Sequence, residues 1–263
     1  LQNPQERDEL IQNKQAGARH LLNAEGIDLE KVNLHWLTLG LDYFLHHTWE
    51  EIAWHTKLVI GAQPEQMPLV LLRKSATRGG TEVFLYMSDR DDLFAITTRL
   101  FAQLRLNIVS AHIETADDGR TLNSFLVLEE NGAPVEDKAR KAEITNTLKK
   151  ALSDPDSADD TISVRVPRRM KHFSTPTRLD FILDSSNQRT MMKLVADDRP
   201  GLLSQIGHAF VDCGMRLINA KIATVGAEAN DVFFITDREN RPLSQRSQFV
   251  CLEQAVRKHL SGD

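Results

Sequence analysis

The sequence predicts an α+β protein in which a small all-α segment precedes two copies of a βαββαβ unit, and three observations lead there. Of the 27 residues from Asp89 to Thr115, seven are identical to the residue 109 positions later, among them Asp89/Asp198, Arg90/Arg199, Leu93/Leu202, Phe101/Phe210 and Ala111/Ala220. These identities fall at turns and on apolar faces, so one structural unit occurs twice. Within each copy the apolar spacing switches from alternation to a period near 3.6 and back, the signature of strand, helix, strand. Residues 1–62 show helical spacing alone.

In that first segment, Leu10, Ile11, Leu21 and Leu22 recur at helical spacing, as do Trp49, Ile52, Ala53, Thr56, Val59 and Ile60. Thr48 followed by Glu51 is a capping box and predicts a helix start just before Trp49. A middle helix is expected over 29–45, running into His46 and His47. With His35 and His55 these raise a metal site, because imidazole is a common ligand. No carboxylate stands at a convincing ligand spacing and no His-Asp pair occurs, so they are read as structural or surface histidines. Residues 63–81 form a connector with a short strand at 69–72. Gly79-Gly80 is read as a hinge, since no Lys-Ser pair follows and a strand, not a helix, comes next.

The first copy occupies 82–152. Val83, Leu85 and Met87 alternate on a strand, and Leu93, Phe94, Leu100, Phe101 and Leu104 stripe a helix. Val109, Ala111 and Ile113 are expected inward, with His112 and Glu114 outward. Asp117-Asp118-Gly119 is a tight turn into a strand at 122–128, and 138–152 is a second helix. Residues 153–188 are a connector with strands at 161–166 and 179–183, the latter free to complete either sheet. Between them the short basic run from Pro167 to His172 is read as a solvated connector or domain contact. The second copy, 189–263, repeats the plan, with strands at 191–196, 216–224 and 231–236 and helices at 201–213 and 244–260. Ile218, Ala220 and Ile222 match the inward trio of the first copy.

A net charge of −5 and pI near 6.0 give no reason to expect nucleic acid or anionic lipid as a partner. No apolar run reaches the length of a membrane span, and neither a leader nor a span is expected. Cys213 and Cys251, both in helical patterns, are read as small core thiols of a reduced compartment.

The segment Asp197-Asp198-Arg199-Pro200-Gly201-Leu202-Leu203 is the most informative stretch. A strand-turn-helix exposes first-turn N–H groups, and with the helix dipole they favour an anionic group such as a carboxylate. Gly201 permits close approach to the backbone and Pro200 fixes the entry to the helix. The same residues serve equally well as a tight connection. No nucleophile-base pair or metal cluster stands near, so binding is supported and catalysis is not.

The words Asp198-Arg199-Pro200-Gly201-Leu202-Leu203, Asn219-Ala220-Lys221-Ile222-Ala223-Thr224 and Asp231-Val232-Phe233-Phe234-Ile235 resemble an ACT domain, a ferredoxin-like small-molecule sensor. Asp89-Arg90-Asp91-Asp92-Leu93-Phe94-Ala95 resembles the same turn in a second ACT domain. With Ala53-Trp54-His55 and Ala76-Thr77-Arg78-Gly79-Gly80-Thr81-Glu82 upstream, the chain resembles the C-terminal third of the bifunctional uridylyltransferase/uridylyl-removing enzymes. That resemblance implies a cytoplasmic nitrogen sensor that modifies the PII signal protein, with glutamine as effector of paired ACT domains. It implies magnesium or manganese for the full-length enzyme, no catalytic residue, metal or cofactor in this chain, and a tail of the hydrolytic region at 1–62. It places ligand contacts at Asp198, Arg199, Pro200, Gly201, Leu202 and Asn219, and in the first copy at Asp89, Arg90, Asp91, Asp92 and Leu93. Asp91-Asp92 stands where Pro-Gly is usual, and two carboxylates would repel a ligand carboxylate, so the second turn is expected to carry the ligand. The alternatives are a ligand-independent interaction module, or the regulatory part of an alarmone synthetase/hydrolase.

Overall fold

The computed structural model describes residues 4–75, 79–90, 92–154, 176–199, 201–225 and 227–261. It is α+β, with helices first and then an antiparallel sheet with its own helices. Compact packing divides the chain into two units: Leu1–Leu69 with Phe84–Asp89 and Glu114–Asn123, and Val70–Val83 with Arg90–Ile113 and Ser124–Asp263.

The first unit holds α1 (Pro4–Ala24), α2 (Leu29–Trp36), α3 (Leu41–His46) and α4 (Trp49–Gly61). The capping box starts α4 as the sequence requires: the Glu51 N–H donates to Thr48 Oγ1 at 3.2 Å and the Thr48 N–H to Glu51 Oε2 at 2.8 Å. The helix expected over 29–45 is broken. Thr38 Oγ1 donates to the His35 carbonyl at 2.7 Å, competing with the helical ladder, and Gly40 caps a new helix. The Gly40 N–H donates to Glu114 Oε1 at 2.8 Å. Burial pushes the Glu114 carboxyl up to about 7 despite that bond, and Asp42 and Asp117 add to the effect.

Two histidines of this unit, His47 and His55, are buried. His55 stacks on Phe84 with centroids 4.4 Å apart, and its Nδ1 bonds the Tyr43 hydroxyl at 3.0 Å. His47 Nδ1 lies 3.5 Å from the carboxylate of Glu51, an i,i+4 neighbour that the sequence reading passed over. Burial lowers His35 to about 4.

The strands are β1 (Leu69–Lys74), β2 (Thr81–Ser88), β3 (Leu106–Thr115), β4 (Arg120–Glu129), β5 (Arg178–Asp184), β6 (Arg189–Asp197), β7 (Arg216–Lys221), β8 (Thr224–Val225) and β9 (Glu228–Thr236). Their order in the sheet is β1-β2-β4-β3-β7-β9-β6-β5, with β8 on β9. The helices are α5 (Leu93–Gln103), α6 (Lys138–Ser153), α7 (Leu202–Asp212) and α8 (Arg246–Ser261). The strand that had no assigned sheet, β5, pairs with β6 as the edge. Gly79-Gly80 belongs to the β1–β2 connection, closed by the Ser75 N–H on the Gly80 carbonyl at 2.8 Å. Thr77, Arg78, the strand expected at 161–166 and the basic run from Pro167 to His172 lie outside the described residues.

The duplication has a physical centre in the second unit. Strands β3 and β7, the same strand of each copy, pair antiparallel with Ala111 opposite Ala220. These occupy equivalent positions of the repeat, so the pairs Ser110–Lys221 and His112–Asn219 on either side are also equivalent. Above them α5 meets α7, where Ser204 Oγ donates to the carbonyl of its own counterpart, Ala95, at 3.1 Å. A Cβ on Gly207 would stand 2.8 Å from Ala95 Cα, so glycine is what lets the helices come this close. Each copy repeats one edge-to-face aromatic pair, Phe101–Phe125 at 5.2 Å and Phe210–Phe233 at 5.5 Å.

Two expectations are corrected here. The matched inward trios hold only at their centres, Ala111 and Ala220, which are buried; Val109 is 36% exposed, and the other buried residues of β7 are Leu217 and Asn219. A register shift between Leu217 and Asn219 breaks the alternation. Cys213 and Cys251 are not free thiols but a disulfide, their Cα atoms 5.8 Å apart. They lie on different helices, α8 and the C-cap of α7, which tertiary packing brings within disulfide reach.

Gly207→Leu forces side-chain atoms into the Ala95 backbone and is expected to destabilise the chain by about 1–3 kcal/mol, an overpacking penalty. A urea unfolding midpoint equal to that of the parent would show that α5 and α7 do not depend on this approach.

Candidate functional site

The second turn is built by the end of β6 and the start of α7. The Asp198 N–H donates to the Ala227 carbonyl at 2.9 Å, and the Leu202 N–H closes the turn on the Arg199 carbonyl at 3.1 Å. Gly201 sits at φ 83, ψ 0 as the N-cap of α7 and accepts the Gln205 N–H at 3.0 Å. A positive φ here disfavours any side chain, while the position a Cβ would take has no atom within 4 Å. The turn is therefore open above its backbone. By helix geometry the N–H groups at 203 and 204 have no carbonyl of their own helix to bond. Pro200 lies outside the described residues.

The other expected contacts fall in different places. Arg199 reaches away from the open side: its Nη2 donates to Gln205 Oε1 at 2.8 Å and to the Leu260 carbonyl, fastening the turn to α7 and α8. Asn219 is 1% exposed and bonds His112 Nδ1 across the β3–β7 pairing at 2.9 Å, with its Oδ1 unpartnered. Because neighbours along a strand face opposite ways, Asn219 is on the other face of the sheet from Ala220 and Phe233.

The sequence reading missed Asp231. It stands two residues before Phe233 on β9, on the same face, and is 1% exposed. Its Oδ1 accepts the Ala223 N–H at 3.1 Å, while Oδ2 is buried without a partner. Burial pushes this carboxyl up to about 7, against the pull of the Ala223 bond, and the charge of Asp198 in the turn raises it further. The available signal was an acid at an inward position of an otherwise apolar alternation, and only the strand register fixes which positions are inward.

The first turn shares the backbone closure, with the Leu93 N–H on the Arg90 carbonyl at 3.2 Å. Its chemistry differs. Arg90 grips Asp92 through two bonds of 2.6 and 2.8 Å at the start of α5, so an arginine neutralises one of the two carboxylates expected to repel an anion. Asp89 accepts from Thr115 Oγ1 at 3.2 Å, and Asp91 lies outside the described residues.

Over residues 6–58 the chain matches the model of the uridylyltransferase GlnD fifth domain. A bifunctional uridylyltransferase/uridylyl-removing enzyme of Methylococcus capsulatus is 42% identical over 256 residues, covering 97% of this chain and 29% of that enzyme. Its namesakes from Pseudomonas putida and Stutzerimonas stutzeri are 39% and 40% identical over the whole chain and 30% of their own lengths. The chain belongs to this family. It spans about a third of the length of these bifunctional uridylyltransferase/uridylyl-removing enzymes. No solved structure matches it. Among the described residues, no helix is long and apolar enough to cross a membrane.

A carboxyl raised in the folded state stabilises it below the ordinary aspartate range, and that contribution is lost as pH rises from about 4 to about 7. Asp231→Asn is therefore expected to gain stability relative to the parent across that interval, up to a few kcal/mol, since a tenfold change in proton affinity is worth about 1.4 kcal/mol. The difference between the two proteins, measured by urea unfolding at a series of pH values, isolates Asp231 from Glu114 and from His35, whose lowered value acts in the opposite sense. A constant difference would mean that the carboxyl keeps its ordinary value.

Proposed function

We propose that this chain is the regulatory C-terminal part of a cytoplasmic bifunctional uridylyltransferase/uridylyl-removing enzyme of the PII system, and that its two repeated units are paired ACT domains that sense glutamine. The observation that carries the reading is the turn at Gly201: a left-handed glycine, open above, at the start of a well-formed helix. The α-carboxylate of glutamine would meet the first-turn N–H groups near Leu202, where the helix dipole favours negative charge. Polar groups across the paired units would hold the amine and the amide. In the first copy the Arg90–Asp92 pair occupies the equivalent place, so ligand binding is assigned to the second turn.

The affinity required is modest. A millimolar dissociation constant corresponds to about −4 kcal/mol, within reach of a few charge-assisted hydrogen bonds. Regulation follows if glutamine binds two states of the full-length enzyme unequally. In that enzyme the modification of PII and its removal would use magnesium or manganese held by the upstream domains.

Titration of the chain with glutamine, followed by calorimetry and amide chemical shifts, tests this reading. Gly201→Val and the milder Gly201→Ala are expected to weaken binding at least 10-fold with the fold intact by circular dichroism. Equal affinity in all three proteins would remove the turn from the site. No chemical-shift change in the parent would favour a ligand-independent module that docks PII or the catalytic domains.

A further inference from the structure

Helix α7 is fastened to α8 near both of its ends. In the turn that precedes α7, Arg199 donates to the Leu260 carbonyl of α8. At its other end, the C-cap residue Cys213 is bonded to Cys251 of α8, and next to it Asp212 Oδ2 lies 2.8 Å from His259 Nε2. Each cysteine is held by its own helix, so a reduced pair stays positioned to re-form. Both residues are half-buried rather than enclosed, and the exchange requires a small thiol to reach their sulfurs. These are the only cysteines in the chain, so neither has a competing partner within it.

We propose that Cys213 and Cys251 form a reversible redox modification site, exchanging with a small-molecule thiol/disulfide couple and thereby setting how firmly α7 is held. In the oxidising direction a thiolate of the pair attacks the small disulfide and expels one thiol. The second cysteine then attacks the mixed disulfide and expels the other. The two protein thiols lose two electrons and two protons in total, and one small disulfide becomes two thiols. Reduction removes the covalent tie at the end of α7 and leaves the Arg199 and Asp212 contacts in place. The helix that gains freedom is the one whose first turn carries Gly201. The effect on glutamine binding rests on the proposed function, whereas the exchange chemistry does not.

The test uses the whole chain equilibrated in glutathione buffers of graded reduced-to-oxidised ratio, with thiols counted by alkylation and mass spectrometry and backbone hydrogen exchange read over 202–212. The expected result is reversible passage between zero and two alkylated cysteines with unchanged circular dichroism. Exchange in α7 should be several-fold faster in the reduced form, and in Cys251→Ser at every ratio. Thiols that never pair, a bond that opens only on unfolding, or identical α7 exchange in the two forms would overturn the proposal. Glutamine affinity measured in both forms should differ several-fold. If neither form binds glutamine, the sensing reading fails while the thiol count and the exchange still decide the redox site.

Discussion

The second unit depends on one contact, the antiparallel pairing of β3 with β7 about Ala111 and Ala220. Because the two alanines are the same residue of a duplicated sequence, each β3–β7 residue pair on one side of this centre has a counterpart on the other. Small side chains are the constraint: Ala95, Ser204 and Gly207 let α5 and α7 meet closely above strands whose central residues are alanine. Larger residues at either level would separate the copies, and with them the two turns that start α5 and α7.

Symmetry in the backbone coexists with asymmetry in the turns. Both close by the same N–H to carbonyl bond, from Leu93 to Arg90 and from Leu202 to Arg199. In the first copy the arginine turns onto Asp92 and fills the helix start with an internal ion pair. In the second it turns away onto α8, Gly201 leaves the space open, and Asp231 lies buried on β9 with one oxygen unpartnered. Duplication followed by divergence at a few side chains thus leaves one turn closed by its own charges and the other open above its glycine.

Much of this was legible in the sequence because it is local or periodic. The capping box at Thr48 and the 109-residue offset, with the repeated Phe101 and Phe210, each need only short-range spacing, and all correspond to observed features. What was not legible depends on contacts between distant segments. The pairing of Cys213 with Cys251 is set by how α7 meets α8, and the role of Asp231 by the register of β9 against β6 and β7. The bulge between Leu217 and Asn219 put Leu217, where alternation placed Ile218, on the face shared with Ala220. The break at Thr38–Gly40 was readable in principle, since a hydroxyl able to bond the preceding turn stands two residues before a glycine.

The measurement that tests the asymmetry most directly is the stoichiometry of glutamine binding to the intact chain by isothermal calorimetry. One glutamine per chain is predicted, because Arg90 and Asp92 occupy the first turn while the second stays open. Two equivalent sites per chain would contradict the account, since the two turns would then be functionally alike despite their different side chains.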